Sequence, residues 1–296
     1  LKMKFFLKLH KNKILSGGLL FSAALMALAG LYVWNLEHKP ELVVYFFDVG
    51  QGDSIFIEAR DGTQILIDGG PTNKILPLLG GVMPFYDHSI DVVILTHPHA
   101  DHVSGLIEVL KRYSVGAVIE SGADYNTAEA KEFESLVLEK HIKKIIIDKP
   151  IKLSFFKNAA LNFLFPDKSF EGQILKNVHD SALVSELDFE GKKVLFMADA
   201  EKKLEQRLVA EGKIGDVDVL KTGHHGSKTS SNDFFLAAVK PEYAVISLGA
   251  RNRYGHPHQQ TLSNLATIGA KIFRTDINGT IKLNINNGVL ELFPEK

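Results

Sequence analysis

The stretch Leu95-Thr96-His97-Pro98-His99-Ala100-Asp101-His102 crowds three histidines and an aspartate into six positions. It follows a run rich in β-branched residues, Asp91-Val92-Val93-Ile94-Leu95, that reads as a buried strand. After it, Val103, Leu106, Ile107 and Leu110 fall at helical spacing. The cluster therefore occupies a strand-to-helix loop, a place where a rigid scaffold holds reactive groups. Residues two apart on an extended chain point the same way, so His97 and His99 can face one cation. The turn into the helix aims Asp101 and His102 elsewhere, which suits a second cation nearby. Further candidate ligands recur at other strand ends. Asp199 closes Val194-Leu195-Phe196-Met197-Ala198-Asp199, and His224 and His225 follow Val219-Leu220-Lys221-Thr222-Gly223. A carboxylate between two cations can bridge them, and imidazoles complete each shell.

The rest of the chain narrows what fold can carry such a cluster. There is no cysteine, so disulfides are absent and any metal has only nitrogen and oxygen ligands. From Leu42 onward, short apolar runs separated by glycine turns alternate with helical patterns, and this happens twice. Residues 42–47, 54–58 and 64–68 read as three strands separated by glycine turns, and Thr127 as the N-cap of a helix through His141. Ser181–Phe189 and Lys192–Asp199 read as a hairpin turned at Glu190-Gly191. Gly212 closes a helix that starts near Glu201. Each half is strand-rich first and βα-alternating later, which fits an α/β fold of two mixed sheets packed face to face with helices outside, one domain over 42–296.

Residues 1–36 read differently. Ile14–Trp34 is a stretch without a charge, long enough to cross a hydrocarbon core. Six lysines and one glutamate occupy the first 40 residues, so the remainder is mildly acidic. A broad basic nucleic-acid surface is therefore not expected, although a local groove is open. Five of these lysines precede the apolar stretch, which places everything after Glu37 outside the cytoplasmic membrane. Two outcomes stay open: a retained single-pass transmembrane anchor, or a signal peptide cleaved after Ala27-Leu28-Ala29 and a secreted body.

The sequence His97-Pro98-His99-Ala100-Asp101-His102 resembles the HxHxDH signature of the metallo-β-lactamase fold. Joined in order by "DVGQGDSIFIE", "ILIDGG", "HHGSKTSS" and "NRYGHPH", it resembles the extracellular nuclease-like domain of the competence DNA-uptake channel protein ComEC. The resemblance implies a four-layer αββα sandwich and a metal-dependent hydrolase holding two divalent ions, zinc or manganese. It implies His97 and His99 on the first ion, Asp101 and His102 on the second, and Asp199 bridging. His224 is the preferred further ligand of the second ion, with His225 as its alternative. The third ligand of the first ion is a histidine in the general fold and often an asparagine in ComEC-like members; His179 stands at or beside that position. Asp68 is expected to hydrogen-bond the metal loop from behind, and Asp48 and Asp53 to act likewise. The family commonly has Thr-Gly-Asp where this chain has Met197-Ala198-Asp199.

The chemistry that follows is hydrolysis by a hydroxide shared between two ions, with no serine or cysteine nucleophile. Asp101 can additionally steer the hydroxide, and His225, His256 or His258 can supply a proton to the departing alkoxide. Lys221, Lys228, Arg251 and Arg253 can hold phosphates, and Tyr254 can stack on a base. The expected activity is a phosphodiesterase or nuclease acting on DNA. The alternatives are a hydrolase of another ester, such as a cell-envelope phosphodiester or a β-lactam, and a weakly active DNA-binding module.

Overall fold

The computed structural model describes residues 21–27, 29–30 and 39–296, and the chain divides into two units, 1–40 and 41–296. Of the first unit, 21–27 and 29–30 are helical; most of the expected membrane span lies outside the described residues. No helix among the described residues is long and apolar enough to cross a membrane.

In the second unit, strands alternate residue by residue between two apolar environments. The first sheet contains β1 (Leu42–Phe46), β2 (Ile55–Ala59), β3 (Gln64–Ile67), β4 (Ser89–Leu95), β5 (Ser114–Glu120) and β6 (Lys143–Ile146). At its other edge lie β14 (Ile281–Asn286) and β15 (Val289–Pro294), giving the order β15-β14-β1-β2-β3-β4-β5-β6. The second sheet contains β7 (Ile151–Ser154), β8 (Ala160–Phe165), β9 (Val184–Phe189), β10 (Lys192–Phe196), β11 (Val219–Lys221), β12 (Tyr243–Ile246) and β13 (Lys271–Arg274). Its order is β13-β12-β11-β10-β9-β8-β7. Both sheets are mixed: β3 to β6 and β10 to β13 run parallel, and their other neighbours antiparallel.

Alternation decides the layers. Ile65, Ile67 and Ile94 point into the space between the sheets, while Leu66, Val93 and Leu95 point outward. The outward set packs on α1 (Ile75–Val82), α2 (Ala100–Arg112) and α3 (Ala128–Glu139). In the second sheet Val194 and Phe196 point inward and Leu195 outward, onto α4 (Lys202–Ala210), α5 (Asp233–Val239) and α6 (Gln259–Thr267). The result is the αββα sandwich. Phe46 and Phe196 meet across the two sheets with ring centroids 6.2 Å apart. Truncating either to alanine removes a fully buried ring and costs about 3–5 kcal/mol.

The Glu190-Gly191 hairpin is present, with both residues at positive φ as a type I′ turn requires. Thr127 caps α3 by accepting from the Ala130 N–H, and Gly212 follows α4 at φ 65°. α1 and β15 are among the elements that were not anticipated. α1 is built on Ile-Leu-Pro-Leu-Leu-Gly-Gly-Val, whose proline and glycines hide its helical character; the proline sits in the first turn, where its missing N–H costs nothing. β15 follows β14 through Asn287-Gly288 and alternates partly buried with exposed residues at the sheet edge.

One close approach places the histidine loop. A Cβ on Gly105 of α2 would collide with the Gly69 carbonyl oxygen, and one on Gly69 with the α2 backbone. The Gly69 N–H donates to the His102 carbonyl and the Gly105 N–H to the Gly70 carbonyl, each at 2.8 Å. The turn after β3 thus grips the first turns of α2, which carry Asp101 and His102.

Candidate metal centre

β4 ends at Leu95, and α2 begins at Ala100 with His99 in extended conformation at its N-cap. His97 and His99 flank Pro98 and face the same side: His97 Nε2 and His99 Nδ1 are 3.1 Å apart. His102, one helical turn in, is fully buried, with its ring 4.2 Å from that of His97.

Three other segments converge on this loop. The end of β10 delivers Asp199. A short 3-10 turn before β9, Val178–Ser181, delivers His179. A second, Gly223–Gly226 after β11, delivers His224 and His225, both in left-handed conformation (φ 45° and 54°).

Asp199 divides these side chains into two groups. Its Oδ2 lies 3.6 Å from both His97 Nε2 and His179 Nε2, and His179 Nε2 is 3.0 Å from His99 Nδ1. Its Oδ1 lies 3.5 Å from both His102 Nε2 and His225 Nε2, and His225 Nε2 is 3.3 Å from Asp101 Oδ2. Among the described residues, His102 Nε2, His225 Nε2 and Asp199 Oδ1 are buried without a hydrogen-bond partner. Unpaired polar atoms are costly inside a protein. Two ring nitrogens, once deprotonated, and a carboxylate oxygen aimed at one point are the donor set a divalent cation takes, so the residues fit the ions the sequence implies.

Of the two alternatives His224 and His225, the second group contains His225, not the preferred His224. Consecutive left-handed residues turn their side chains apart. His225 goes inward and is 1 % exposed; His224 goes to the mouth of the site. There, His224 Nδ1 is 3.5 Å from Glu201 Oε1 and its Nε2 is 3.9 Å from Asp199 Oδ2. His225, expected as a proton donor facing substrate, instead faces Asp101 and Asp199.

Carboxylates stand behind the second group. Asp68 Oδ2 is 2.7 Å from His102 Nδ1 and accepts from the Thr96 hydroxyl, while its Oδ1 accepts from the Thr96 N–H. Asp53 Oδ1 is 3.3 Å from His225 Nδ1, and its Oδ2 accepts from Lys221 Nζ at 2.6 Å. Lys221 is 0 % exposed, so the expectation that it holds phosphate is corrected: it is the buried counter-ion of Asp53. A lysine inside the buried run Val219-Leu220-Lys221 was the available signal, because a charge there needs an internal partner. Asp48, by contrast, pairs with Lys74 and accepts from the Gly50 N–H.

Electrostatics separate the groups. Burial pushes His97 well below the ordinary imidazole range and His99 down to about 4, with neighbouring imidazoles adding to both. Burial also lowers His179. Burial opposes charge on His102 and His225 too, but Asp199 with Asp68 and Asp101 raises His102, and Asp199 with Asp53 raises His225 to about 10. Asp199 is held far below the carboxylate range against burial, by His225 and His102.

The model of the metallo-beta-lactamase superfamily matches residues 47–250. The chain belongs to the metallo-β-lactamase superfamily. It is 31% identical over 276 residues to ComE operon protein 3 of Bacillus subtilis, covering 85% of this chain and 34% of that protein. It is 29% identical to competence protein ComA of Neisseria gonorrhoeae, covering 90% of this chain and 36% of that one. The chain thus spans about a third of the length of the curated relatives it matches. In structure it is similar to the metallo-β-lactamase fold protein YhfI of Bacillus subtilis (TM-score 0.54, 14% identity, 85% of this chain and 100% of that one). It is also similar to CmlA, a diiron β-hydroxylase of Streptomyces venezuelae (TM-score 0.52, 18% identity, 86% and 54%).

Around this metallo-β-lactamase centre, the remaining expected residues separate. His256 lies beside it, its ring 5.6 Å from His224 and 6.3 Å from His225, and burial and His225 push it down to about 4. Tyr254 stacks on His256 at 5.7 Å, and exposed Arg253 donates to the Tyr254 hydroxyl. Lys228 is exposed and lines a separate cavity of about 330 Å³ with Lys202 and Asn232. Glu201, beside His224 and within 3.9 Å of His179 Nδ1, was not anticipated. Its signal is only its place two residues after Asp199.

Proposed function

We propose that this metallo-β-lactamase-fold hydrolase is a two-metal phosphodiesterase that cleaves DNA outside the cytoplasmic membrane. The supporting observation is the Asp199 carboxylate, whose two oxygens face two separate nitrogen–oxygen groups. In this reading His97, His99, His179 and Asp199 Oδ2 hold one ion, and Asp101, His102, His225 and Asp199 Oδ1 the other. Bound divalent ions supply a nucleophile at neutral pH and neutralise charge on the phosphodiester, with zinc and manganese both suited to these ligands.

The chain's own residues do the rest. Asp68 at Nδ1 of His102, and the Ser247 carbonyl oxygen with the Asp53 carboxylate nearby at Nδ1 of His225, keep each Nε2 turned inward. Asp101 also orients the attacking group. His224, backed by Glu201 at Nδ1, delivers a proton from Nε2 to the departing alkoxide. His256, beside His224 and lowered to about 4 by burial and His225, lines the mouth. Arg253 and Lys228 hold flanking phosphates, and Tyr254 offers a ring to a base. The uncharged stretch after the N-terminal lysines carries the placement outside the membrane. The likeness to competence proteins favours DNA over other phosphodiesters.

The test is hydrolysis of single-stranded DNA and of bis(4-nitrophenyl) phosphate by the Mn²⁺- or Zn²⁺-loaded protein. Cleavage of both, abolished by Asp199→Asn, is the expected result. Cleavage of the small ester alone would replace DNA with a smaller substrate, and cleavage that survives Asp199→Asn would refute the metal reading.

A further inference from the structure

A cavity of about 580 Å³ opens beside the first group, and the reading above gives it no role. It sits at the C-terminal ends of β4, β5 and β6, where open α/β sheets take their ligands. His97 and Pro98 form one wall. Tyr125 lines it, with its ring 5.3 Å from that of His99. The loop that carries Tyr125 is stitched to the segment around residues 171–174 by the bridges Ala123↔Glu171 and Asp124↔Ile174. Its volume falls inside the roughly 300–1,000 Å³ typical of small-molecule sites.

The lining says what class of group fits. Four acids (Glu120, Asp124, Glu134, Glu171) and two lysines (Lys131, Lys144) face the cavity, and Lys144 already pairs with Glu120 at 3.1 Å and Glu134 at 2.7 Å. A run of phosphates is repelled by that balance. Phe133, Ile146 and Ile174 supply apolar surface for a flat, uncharged group. The polar anchor is the Glu120 carboxyl, 5 % exposed at the end of β5. Burial, with Glu134 beside it, pushes that carboxyl up to about 7, so near neutrality it can both accept and donate.

We infer that this cavity is a nucleobase subsite: it receives the base next to the scissile phosphate, and the Glu120 carboxyl hydrogen-bonds the edge of that base. The inference rests on the phosphodiesterase reading for its place in catalysis, but base binding itself requires neither metal nor phosphate. The polyanionic backbone then leaves the acidic cavity and runs along Arg253 and Tyr254, beside His256.

The experiment is nucleoside binding to the full chain stripped of metal with EDTA, using cytidine and adenosine and saturation-transfer NMR. Wild-type protein is expected to bind both. Glu120→Leu, which removes both the acceptor and the donor, is expected to weaken binding about tenfold, the loss of one hydrogen bond to a carboxyl group. Ile174, 75 % exposed on the rim, offers a second variant that does not threaten the core. Ile174→Trp is expected to fill the cavity and abolish binding, and to raise KM for a 4-nitrophenyl nucleotide ester about tenfold at unchanged kcat. Nucleoside binding that is absent, or that persists unchanged in both variants, overturns the subsite. If wild-type protein cleaves bis(4-nitrophenyl) phosphate but binds no nucleoside, the subsite falls and the phosphodiesterase reading stands. If it binds nucleosides but cleaves no phosphodiester, that reading falls and the base site stands.

Discussion

The two halves of the metal centre share Asp199 and differ in almost everything else. The first half gathers His97, His99 and His179 from two loops, with imidazoles facing one another and a cavity at their back. The second half is buried, and each of its imidazoles has a carboxylate behind it: Asp68 for His102, Asp53 for His225. Burial pushes the imidazoles of the first set down, while buried carboxylates push those of the second set up. The lesson is that one fold can prepare two neighbouring candidate cation sites by opposite means. One is open and ready to ligate; the other is anchored and must release protons first.

The largest effect should come from the residue common to both. Asp199→Asn replaces one of the two carboxylate oxygens with an amide nitrogen and removes the negative charge that both groups share, and several kcal/mol of charge stabilisation go with it, so hydrolysis should fall on the order of 10³-fold. Metal content by mass spectrometry should drop at the same time; full content in that variant would break the idea of a shared carboxylate. His179→Ala should separate the halves by lowering the bound metal from two ions to one, the remaining ion keeping its wild-type affinity. Loss of both ions there would mean that the groups are not independent.

Asp53→Asn and Lys221→Met probe the anchored half. Each should weaken the second ion by roughly 10–100-fold, the usual cost of removing a group that orients a ligand, while the first ion is unchanged. Isothermal titration with Mn²⁺ reads both affinities in one run.

Acidity offers a sharper contrast. His225, raised to about 10, is protonated at pH 8 without metal, whereas His99, lowered to about 4, is not. Filling the second half at pH 8 should therefore expel protons, and filling the first should expel none. Calorimetry in buffers of different ionisation enthalpy counts them. The same shift has a stability sign. A raised histidine contributes stability that is full below its unfolded pKa near 6.5 and is lost as pH rises through about 10. Metal-free protein should thus lose stability over that window, and the loaded protein should not show this loss.

The smallest effect concerns Ala198, which holds φ 46° immediately before Asp199. Left-handed backbone costs a residue with a Cβ roughly 1–2 kcal/mol. Ala198→Gly should stabilise the fold by about 1 kcal/mol in urea unfolding, the gain reduced by glycine's greater freedom when unfolded. A destabilised variant would show that the methyl packs usefully.

Local rules made part of this molecule legible in its sequence. The β-branched run before His97, the Thr127 cap and the Glu190-Gly191 turn each depend on residues a few positions apart, and all three stand as expected. Crowding alone marked the His97–His102 loop. What stayed hidden depends on distance or on handedness. Asp53 and Lys221 are 168 residues apart, and no spacing rule joins them. His224 and His225 are indistinguishable as letters, and only two successive left-handed residues send the second inward. Gly69 reads as a turn glycine, yet its need is the close approach of Gly105. The doubled glycine of α1 obscured a helix that packing stabilises through Ile75 and Leu79.

The most direct measurement is X-ray diffraction at the manganese absorption edge from crystals grown with Mn²⁺. Two anomalous peaks, one at each oxygen of the Asp199 carboxylate, with His225 and not His224 beside the inner one, are the expected result. A single peak, or none among these side chains, would contradict the shared-carboxylate centre.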